Sequence, residues 1–116
     1  MKYVMYIFVN KSLGMSAGKM AVQVGHAVVY ALDISTLDVV HEWRNNMQIK
    51  VVLEAKDETE LKQIESELGN VGILTREVHD AGLTEIAPDS FTALAVQIVD
   101  KEKHKETFRE YKTYKG

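Results

Sequence analysis

Residues 79–88, HDAGLTEIAP, separate two apolar runs in the second half of the chain. The runs, residues 73–78 and 91–99, are rich in β-branched and aromatic side chains, and both are predicted to be strands. The connection is longer than a hairpin needs, which is typical of functional loops. It holds the only proline of the sequence, which fixes its own φ, and an acid–hydroxyl pair, Asp80 and Thr84. The stretch therefore predicts a shaped loop that either carries chemistry or is only a well-capped surface connection.

The composition indicates a soluble globular protein. With 116 residues, 46% of them hydrophobic, residues 1–116 are expected to form a single domain. The absence of cysteine excludes disulfides, a thiol nucleophile and thiolate metal sites. We see no signal-peptide pattern in the first ten residues and no apolar run near the roughly 18 residues of a membrane span, so we expect a cytoplasmic protein without a membrane partner.

The charges are unevenly distributed along the chain. The net charge of −3 argues against a strongly basic nucleic-acid-binding protein. However, residues 1–31 carry +3, residues 32–100 carry −9 and residues 101–116 carry +3. Because the local field decides where a polyanion docks, the two basic ends could together form one binding face. The sequence does not show whether they meet.

The order of predicted elements is β-α-α-β-α-β-β-α. It predicts an α/β fold with a single layer of four-stranded mixed β-sheet and helices packed on both faces. The last strand is expected to run antiparallel. Strands are predicted at residues 3–9, 49–55, 73–78 and 91–99, and helices at residues 17–32, 35–44, 57–69 and beyond residue 100. Gly69 is expected in the C-terminal turn of the third helix, and Phe108 and Tyr111 are expected as inward anchors of the fourth.

The first helix is apolar almost all round, which predicts a buried helix. Its polar exceptions lie within a sector of about 60° at 100° per residue. They are Lys19, Gln23, His26 and Tyr30. Such a stripe faces either solvent or a site.

Two motifs stand out, residues 13–27, LGMSAGKMAVQVGHA, and residues 80–88, DAGLTEIAP. In register, they resemble the glycine-lysine helix entry and the D-A-G-x-T-x-I-A-P signature of the archaeal/eukaryotic-type (type II) peptidyl-tRNA hydrolases. The resemblance extends from residue 3 to about residue 99. It implies hydrolysis of the ester that joins a peptide to the tRNA 3′ end, with the 3′ end and acceptor stem of peptidyl-tRNA as the partner. Because family members are often dimeric, it also implies a possible homodimer.

The resemblance also implies the site residues. The positions that match the family's catalytic set are Lys19, Asp80, Thr84 and Thr92. Asp80 would orient or deprotonate water, Lys19 would stabilise negative charge, and the threonines would fix water and substrate. Gln23 and His26, on the same helix face, are candidates for substrate binding. No cofactor or metal is expected, since the four histidines lack a ligand spacing such as H-E-x-x-H.

The chain departs from the family pattern where cations are usual. Ala17, Leu83 and Asn10 stand at three such positions, and Glu85 and Asp89 replace typically neutral residues. Because phosphate neutralisation is cumulative, weak tRNA binding is expected. These departures keep two alternatives open: a non-catalytic domain that binds a small anionic or nucleotide-like ligand, and an interaction module whose basic C-terminal helix docks an acidic partner.

Overall fold

The computed structural model describes residues 2–82 and 86–116. Its strands and helices confirm the α/β class and the predicted order of the longer elements. The strands are β1 (Tyr3–Asn10), β2 (Lys50–Ala55), β3 (Thr75–His79), β4 (Phe91–Val96) and β5 (Val99–Asp100). The helices are α1 (Ala17–Asp33), α2 (Leu37–Arg44), α3 (Glu58–Asn70) and α4 (Lys105–Phe108), and a short 3-10 helix (Lys11–Leu13) follows β1.

The sheet is mixed, as predicted. Its order is β2-β1-β4-β3, with β1 parallel to β2 and β4 antiparallel to both of its neighbours. The short β5 pairs antiparallel with the beginning of β1, so the described part of the chain contains a fifth strand in addition to the four expected. Because β1, β2 and β3 all run in the same direction, their carboxyl ends meet at one edge of the sheet.

The predicted strand over residues 91–99 is interrupted, which corrects the sequence interpretation. At residue 97 the backbone and side chain of Gln97 both bond Leu74: its N–H donates to Leu74 O at 3.0 Å, and its Oε1 accepts from Leu74 N at 2.7 Å. The next N–H, that of Ile98, donates to Ser35 Oγ at 2.9 Å instead of a neighbouring strand. Hydrogen bonds to a side chain thus replace the ladder, and the chain rejoins the sheet as β5.

Helices cover both faces of the sheet, as predicted, and each face has its own core. Side chains alternate along β1, so that Phe8 packs with Leu61 and Leu68 of α3. Its neighbours Ile7 and Val9 pack on the opposite face, under α1 and α2. A strand buried on both faces reads as a continuous apolar run, which is why β1 could be predicted from sequence.

The prediction that α1 is buried all round is wrong. Within this helix only Gln23, Ala27 and Ala31, at i, i+4 and i+8, are buried. Val22 and Val29 are more than half exposed, at 54% and 56%. A helix that lies on one face of a sheet buries one stripe only, and here the buried stripe begins with a polar residue.

One helix end agrees with the prediction and one differs from it. The helix α3 ends at Asn70, so Gly69 lies in its C-terminal turn as predicted, and the left-handed residue beyond the helix is Gly72, with φ +79°. The C-terminal helix does not begin at Asp100: Asp100 Oδ1 accepts from the N–H groups of Glu102 and Lys103 in a turn, and α4 has four residues. Phe108 is nevertheless buried, as expected of an anchor.

No helix in the described ranges, residues 2–82 and 86–116, is long and apolar enough to cross a membrane.

Candidate active site

Four of the predicted site residues meet where α1 begins over the carboxyl end of β3. Ser16 caps α1 by accepting a hydrogen bond from Lys19 N at 3.2 Å, which fixes the first helical turn. Lys19 and Gln23, one turn apart on this helix, point at the end of β3, where Asp80 follows His79. Two residues of the polar stripe, Lys19 and Gln23, therefore face the sheet edge and not the solvent.

Lys19 and Asp80 form an ion pair between Nζ and Oδ1. Their side chains are 11% and 6% exposed, so the pair is nearly enclosed. The second oxygen, Asp80 Oδ2, accepts a hydrogen bond from Gly82 N at 2.6 Å. Both carboxylate oxygens therefore already have donors within the protein.

Gln23 connects this pair to Thr92. Its Nε2 lies 3.4 Å from Asp80 Oδ1, and its Oε1 accepts a hydrogen bond from Thr92 Oγ1 at 2.6 Å. Both Gln23 and Thr92 are buried, at 2% and 0% exposure. Because the ionised Asp80 carboxylate can only accept, the amide NH₂ of Gln23 faces Asp80, and Oε1 is left to accept from the Thr92 hydroxyl.

An irregularity in the sheet positions Thr92. Val78 pairs with Ala93, but His79, the next residue of β3, pairs with Phe91, so β4 carries one extra residue. That residue is Thr92. Bulges of this kind re-aim a side chain, and here the side chain turns toward α1.

The loop from residue 80 to residue 90 is closed at its base. Asp80 N donates to Ser90 O at 3.0 Å, and Asp89 N donates to Asp80 O at 2.7 Å. Gly82 has φ +75°, and a Cβ there would lie 2.4 Å from Pro88 Cα. The DAG segment and the proline therefore press against each other, and only glycine fits at this contact.

Asp80 is ionised over the physiological range. The hydrogen bond from Lys19 is the main cause that lowers its pKa, with further lowering by Gly82 N–H and by the charge of His26. A carboxylate of low pKa is a weak base near neutral pH. Of the two roles predicted for Asp80, orientation of water fits this geometry better than deprotonation.

His79 holds the other side of the loop. Its Nε2 lies 2.7 Å from Glu77 Oε1, and its Nδ1 lies 2.9 Å from the backbone oxygen of Asp89. Both partners are acceptors, so both ring nitrogens must donate, which requires the charged imidazolium. These bonds to Asp89 and Glu77 raise the pKa of His79. Partial burial alone would raise the pKa of Glu77. Hydrogen bonds from Glu65, Lys62 and His79 to its carboxylate outweigh burial, and the pKa of Glu77 falls to about 2.

The remaining predicted residues lie differently. His26 is exposed, and it acts on the site through its charge, which lowers the pKa of Asp80. Thr84 lies outside the described residues. The structure thus brings together Lys19, Gln23, Asp80 and Thr92, whose chemical roles stay predictions.

Asn10 is a site neighbour whose structural role the sequence interpretation missed. It is 3% exposed; its Nδ2 donates to Phe91 O at 2.9 Å, and its Oδ1 accepts from Ser12 N and Ser12 Oγ. Asn10 therefore joins the end of β1 to the start of β4, beside Thr92. The signal in the sequence was a polar residue directly after the predicted strand over residues 3–9, with a serine two positions later.

The chain is similar to known proteins over most of its length. The family model of peptidyl-tRNA hydrolase PTH2 matches residues 3–114. A peptidyl-tRNA hydrolase of Thermococcus onnurineus is 40% identical over 108 residues, which cover 86% of this chain and 92% of the relative. A peptidyl-tRNA hydrolase of Thermoplasma acidophilum is 33% identical over 111 residues, with 93% and 95% covered. A probable peptidyl-tRNA hydrolase 2 of Schizosaccharomyces pombe is 36% identical over 95 residues, 79% of this chain and 46% of that longer protein. The chain belongs to the peptidyl-tRNA hydrolase PTH2 family.

Proposed function

We propose that this protein hydrolyses the ester bond between the peptide and the tRNA in peptidyl-tRNA, with the Lys19–Asp80 pair at the reacting centre. The observation that carries the proposal is the contact network from Lys19 through Asp80 and Gln23 to Thr92, in a chain of this family. The family membership supports the type of reaction, and the network supports the location of the reacting centre at Lys19 and Asp80.

In the proposed reaction the oxygen of a water molecule attacks the ester carbonyl carbon. The carbon–oxygen bond to the tRNA ribose then breaks, one water proton goes to the ribose oxygen, and the products are a peptide carboxylic acid and a free 3′ hydroxyl. Such a reaction requires an oriented water and stabilisation of the oxyanion that develops on the carbonyl.

No cofactor or metal enters the proposal, so activity should persist in a chelator such as EDTA.

Asp80 is assigned the orientation of water. Its low pKa keeps it an acceptor, and an acceptor that stays ionised can hold a water proton and direct the oxygen lone pair at the substrate. Gln23 and Gly82 N–H fix the carboxylate in turn.

Lys19 is assigned the stabilisation of negative charge. Its ammonium group has three donors, of which one faces Asp80. The others can bind the oxyanion or a substrate phosphate. Its 11% exposure means that a bound substrate would complete the exclusion of water, which strengthens the interaction.

Substitution of Asp80 tests the proposal. Asp80→Asn preserves size but removes the negative charge, and when its amide oxygen accepts from Lys19 its NH₂ takes the place of the acceptor Oδ2, so the ion pair and one acceptor are lost. We expect kcat for a peptidyl-tRNA to fall by about 10²–10⁴, the range for loss of a group that assists proton transfer. Asp38→Asn, at an exposed carboxylate of α2, makes the same chemical change and should leave kcat unaltered. Near-normal turnover by Asp80→Asn would move the water elsewhere.

Cellular location and oligomeric state also belong to this proposal. We place the activity in the cytoplasm, because peptidyl-tRNA arises during translation there. The homodimer inferred from the family resemblance stays a prediction, which sedimentation velocity on the purified protein would test.

A further inference from the structure

The C-terminal segment lies as an extra strand along the free edge of β2. Glu54 N donates to Lys112 O at 2.8 Å and Tyr114 N donates to Val52 O at 2.8 Å, around an antiparallel bridge between Leu53 and Thr113. The segment is therefore ordered by backbone pairing, as an edge strand is.

Two tyrosines fix this segment on both faces of the sheet. Tyr111 packs on the α3 side, where its ring meets Phe8 edge-on with centroids 4.9 Å apart. Tyr114 packs on the side of α1 and α2. The lysines beside them consequently occupy defined positions.

This arrangement brings the two basic ends of the sequence together. A groove of about 450 Å³ is lined by Lys11, Glu54, Lys112, Thr113 and Lys115. Glu54 contacts Lys11 at 3.6 Å, but the Lys11 side chain remains 51% exposed. Three cations against one acid leave the groove with a charge of +2.

The groove lies on the same edge of the sheet as the site. Strand register places Glu54, Val9, Ala93 and Val78 in one row across β2, β1, β4 and β3. Lys11 and Asp80 each lie two positions beyond this row, on strands separated only by β4. With neighbouring strands about 4.8 Å apart, Lys11 lies on the order of 10 Å from the line of Asp80, and Lys112 about twice as far.

The opposite side of the C-terminal segment repels polyanions. The charged residues that line a second cavity, between this segment and α3, are four glutamates (Glu54, Glu60, Glu67 and Glu110) and two lysines (Lys56 and Lys112), so this cavity has a charge of −2. Burial of Tyr111, followed by the charges of Glu67, Glu110 and Glu60, raises the pKa of its phenol to about 12. An anionic chain that leaves the site along this edge is therefore directed to the lysine side.

We propose that Lys11, Lys112 and Lys115 bind the sugar–phosphate backbone of the unpaired 3′ end of tRNA. The proposal rests on the proposed function, because that function places the ester at Asp80 and the adjoining nucleotides within this distance. These three lysines supply cations that the chain lacks at the positions where the family usually has them. Asn10 is buried and its amide is already hydrogen-bonded, and Ala17 is uncharged.

Salt titration of binding tests the surface separately from turnover. The probe is a fluorescent RNA hairpin with the sequence of an acceptor stem, with and without its unpaired 3′ nucleotides. The variant carries Lys11→Gln, Lys112→Gln and Lys115→Gln. The control carries Lys101→Gln, Lys103→Gln and Lys105→Gln, an identical charge change beside the first residues of β1, at the opposite end of the sheet.

Each phosphate contact contributes a slope of roughly −0.7 to log K against log salt for single strands. We expect the variant to lose about two units of slope on the hairpin with unpaired nucleotides, and the control to keep the wild-type slope. On the hairpin without them, variant and wild type should agree. Equal slopes for variant and control, or an equal loss on both hairpins, would overturn the proposal.

The same proteins separate this proposal from the proposed function. If wild type fails to cleave peptidyl-tRNA while the variant loses slope, the hydrolase proposal fails and the surface stands. If wild type cleaves and the variant behaves as the control in binding and in KM, the surface fails and the hydrolase proposal stands.

Discussion

The Thr92 hydroxyl lies within hydrogen-bond distance of Gln23 Oε1, at 2.6 Å, and of Val78 O, at 3.2 Å. The hydroxyl donates to Gln23 Oε1, and neither residue is accessible to water. Thr92→Val retains the shape but leaves the amide oxygen without this donor, which costs about 1–3 kcal/mol for a buried polar group. We expect that loss in urea unfolding, together with a fall in kcat because Gln23 can rotate away from Asp80. Thr92→Ser, which keeps the hydroxyl, should restore much of both.

A stable Thr92→Val protein with normal kcat would show that Gln23 does not need this bond. The hydroxyl's importance could be predicted from sequence, since Thr92 falls in register with the family motif. Its partner could not. A glutamine on a helix and a threonine 69 positions later have no spacing that signals contact, and the bulge that turns Thr92 toward α1 depends on strand pairing.

The loop element depends on Gly82 for its shape. Alanine at this position would adopt φ +75° and place its Cβ 2.4 Å from the Pro88 backbone, so the loop must move. We expect Gly82→Ala to lower kcat/KM for peptidyl-tRNA at least about tenfold, because Gly82 N–H also fixes Asp80 Oδ2.

Gly72→Ala is the matched control for this loop. Gly72 has nearly the same backbone conformation, φ +79°, but no atom within 4 Å of an added Cβ. It should cost about 1–2 kcal/mol of unfolding free energy, the cost of a left-handed residue, and leave kcat/KM unchanged. If both variants lose activity equally, the contact with Pro88 is not what shapes the site.

His79, in the edge strand β3, holds the same loop by hydrogen bonds that depend on pH. His79 donates to Glu77 and to the Asp89 backbone, and Lys62 and Glu65 of α3 complete the charged cluster around it. Because its folded pKa is raised above the unfolded value of about 6.5, its stabilisation is fully present below pH 6.5. It is lost as the pH rises through the folded pKa.

We expect the difference in unfolding free energy between wild type and His79→Gln to shrink from pH 5.5 to pH 8.5. Urea denaturation at each pH measures it. His41→Gln, at an exposed histidine of α2, is the control and should show a smaller change. A difference that grows with pH would mean that His79 is neutral in the folded protein.

At the scale of elements, prediction succeeded where apolar pattern and geometry coincide and failed where polar side chains intervene. The strand β1 follows from its continuous apolar run, and the buried face of α3 follows from its helical periodicity. The break after Val96 does not, since Ile98 and Val99 continue the apolar run while Ser35 Oγ takes the hydrogen bond of the ladder. The apolar surface of α1 also gave no sign that Val22 and Val29 would lie outside.

At the scale of the whole molecule, the two sides of the C-terminal segment differ in charge. The cavity on the α3 side has more acids than bases, while Lys11 of the basic N-terminal stretch meets Lys112 and Lys115 through the pairing of residues 112–114 with β2. The sequence predicted that the two ends could share a face, but their meeting depends on an extended segment that the local pattern indicated as a helix. Net charge alone would have excluded the polyanion that the family acts on.

A cation added near the entrance of the site should therefore strengthen tRNA binding even in this acidic protein. Ala17 is exposed at the first turn of α1, two residues before Lys19. Ala17→Lys places a cation there at a cost of about 0.3–1 kcal/mol against the helix dipole, and the gain of one phosphate contact should steepen the salt slope by roughly 0.7–0.9. Val29→Lys adds the same charge to the exposed side of α1, three turns farther along the helix, and should leave the slope near that of wild type. Titration of both variants with deacylated tRNA at several salt concentrations compares their slopes. An equal gain in slope would mean that a cation at position 17 contacts the tRNA no better than a cation at position 29.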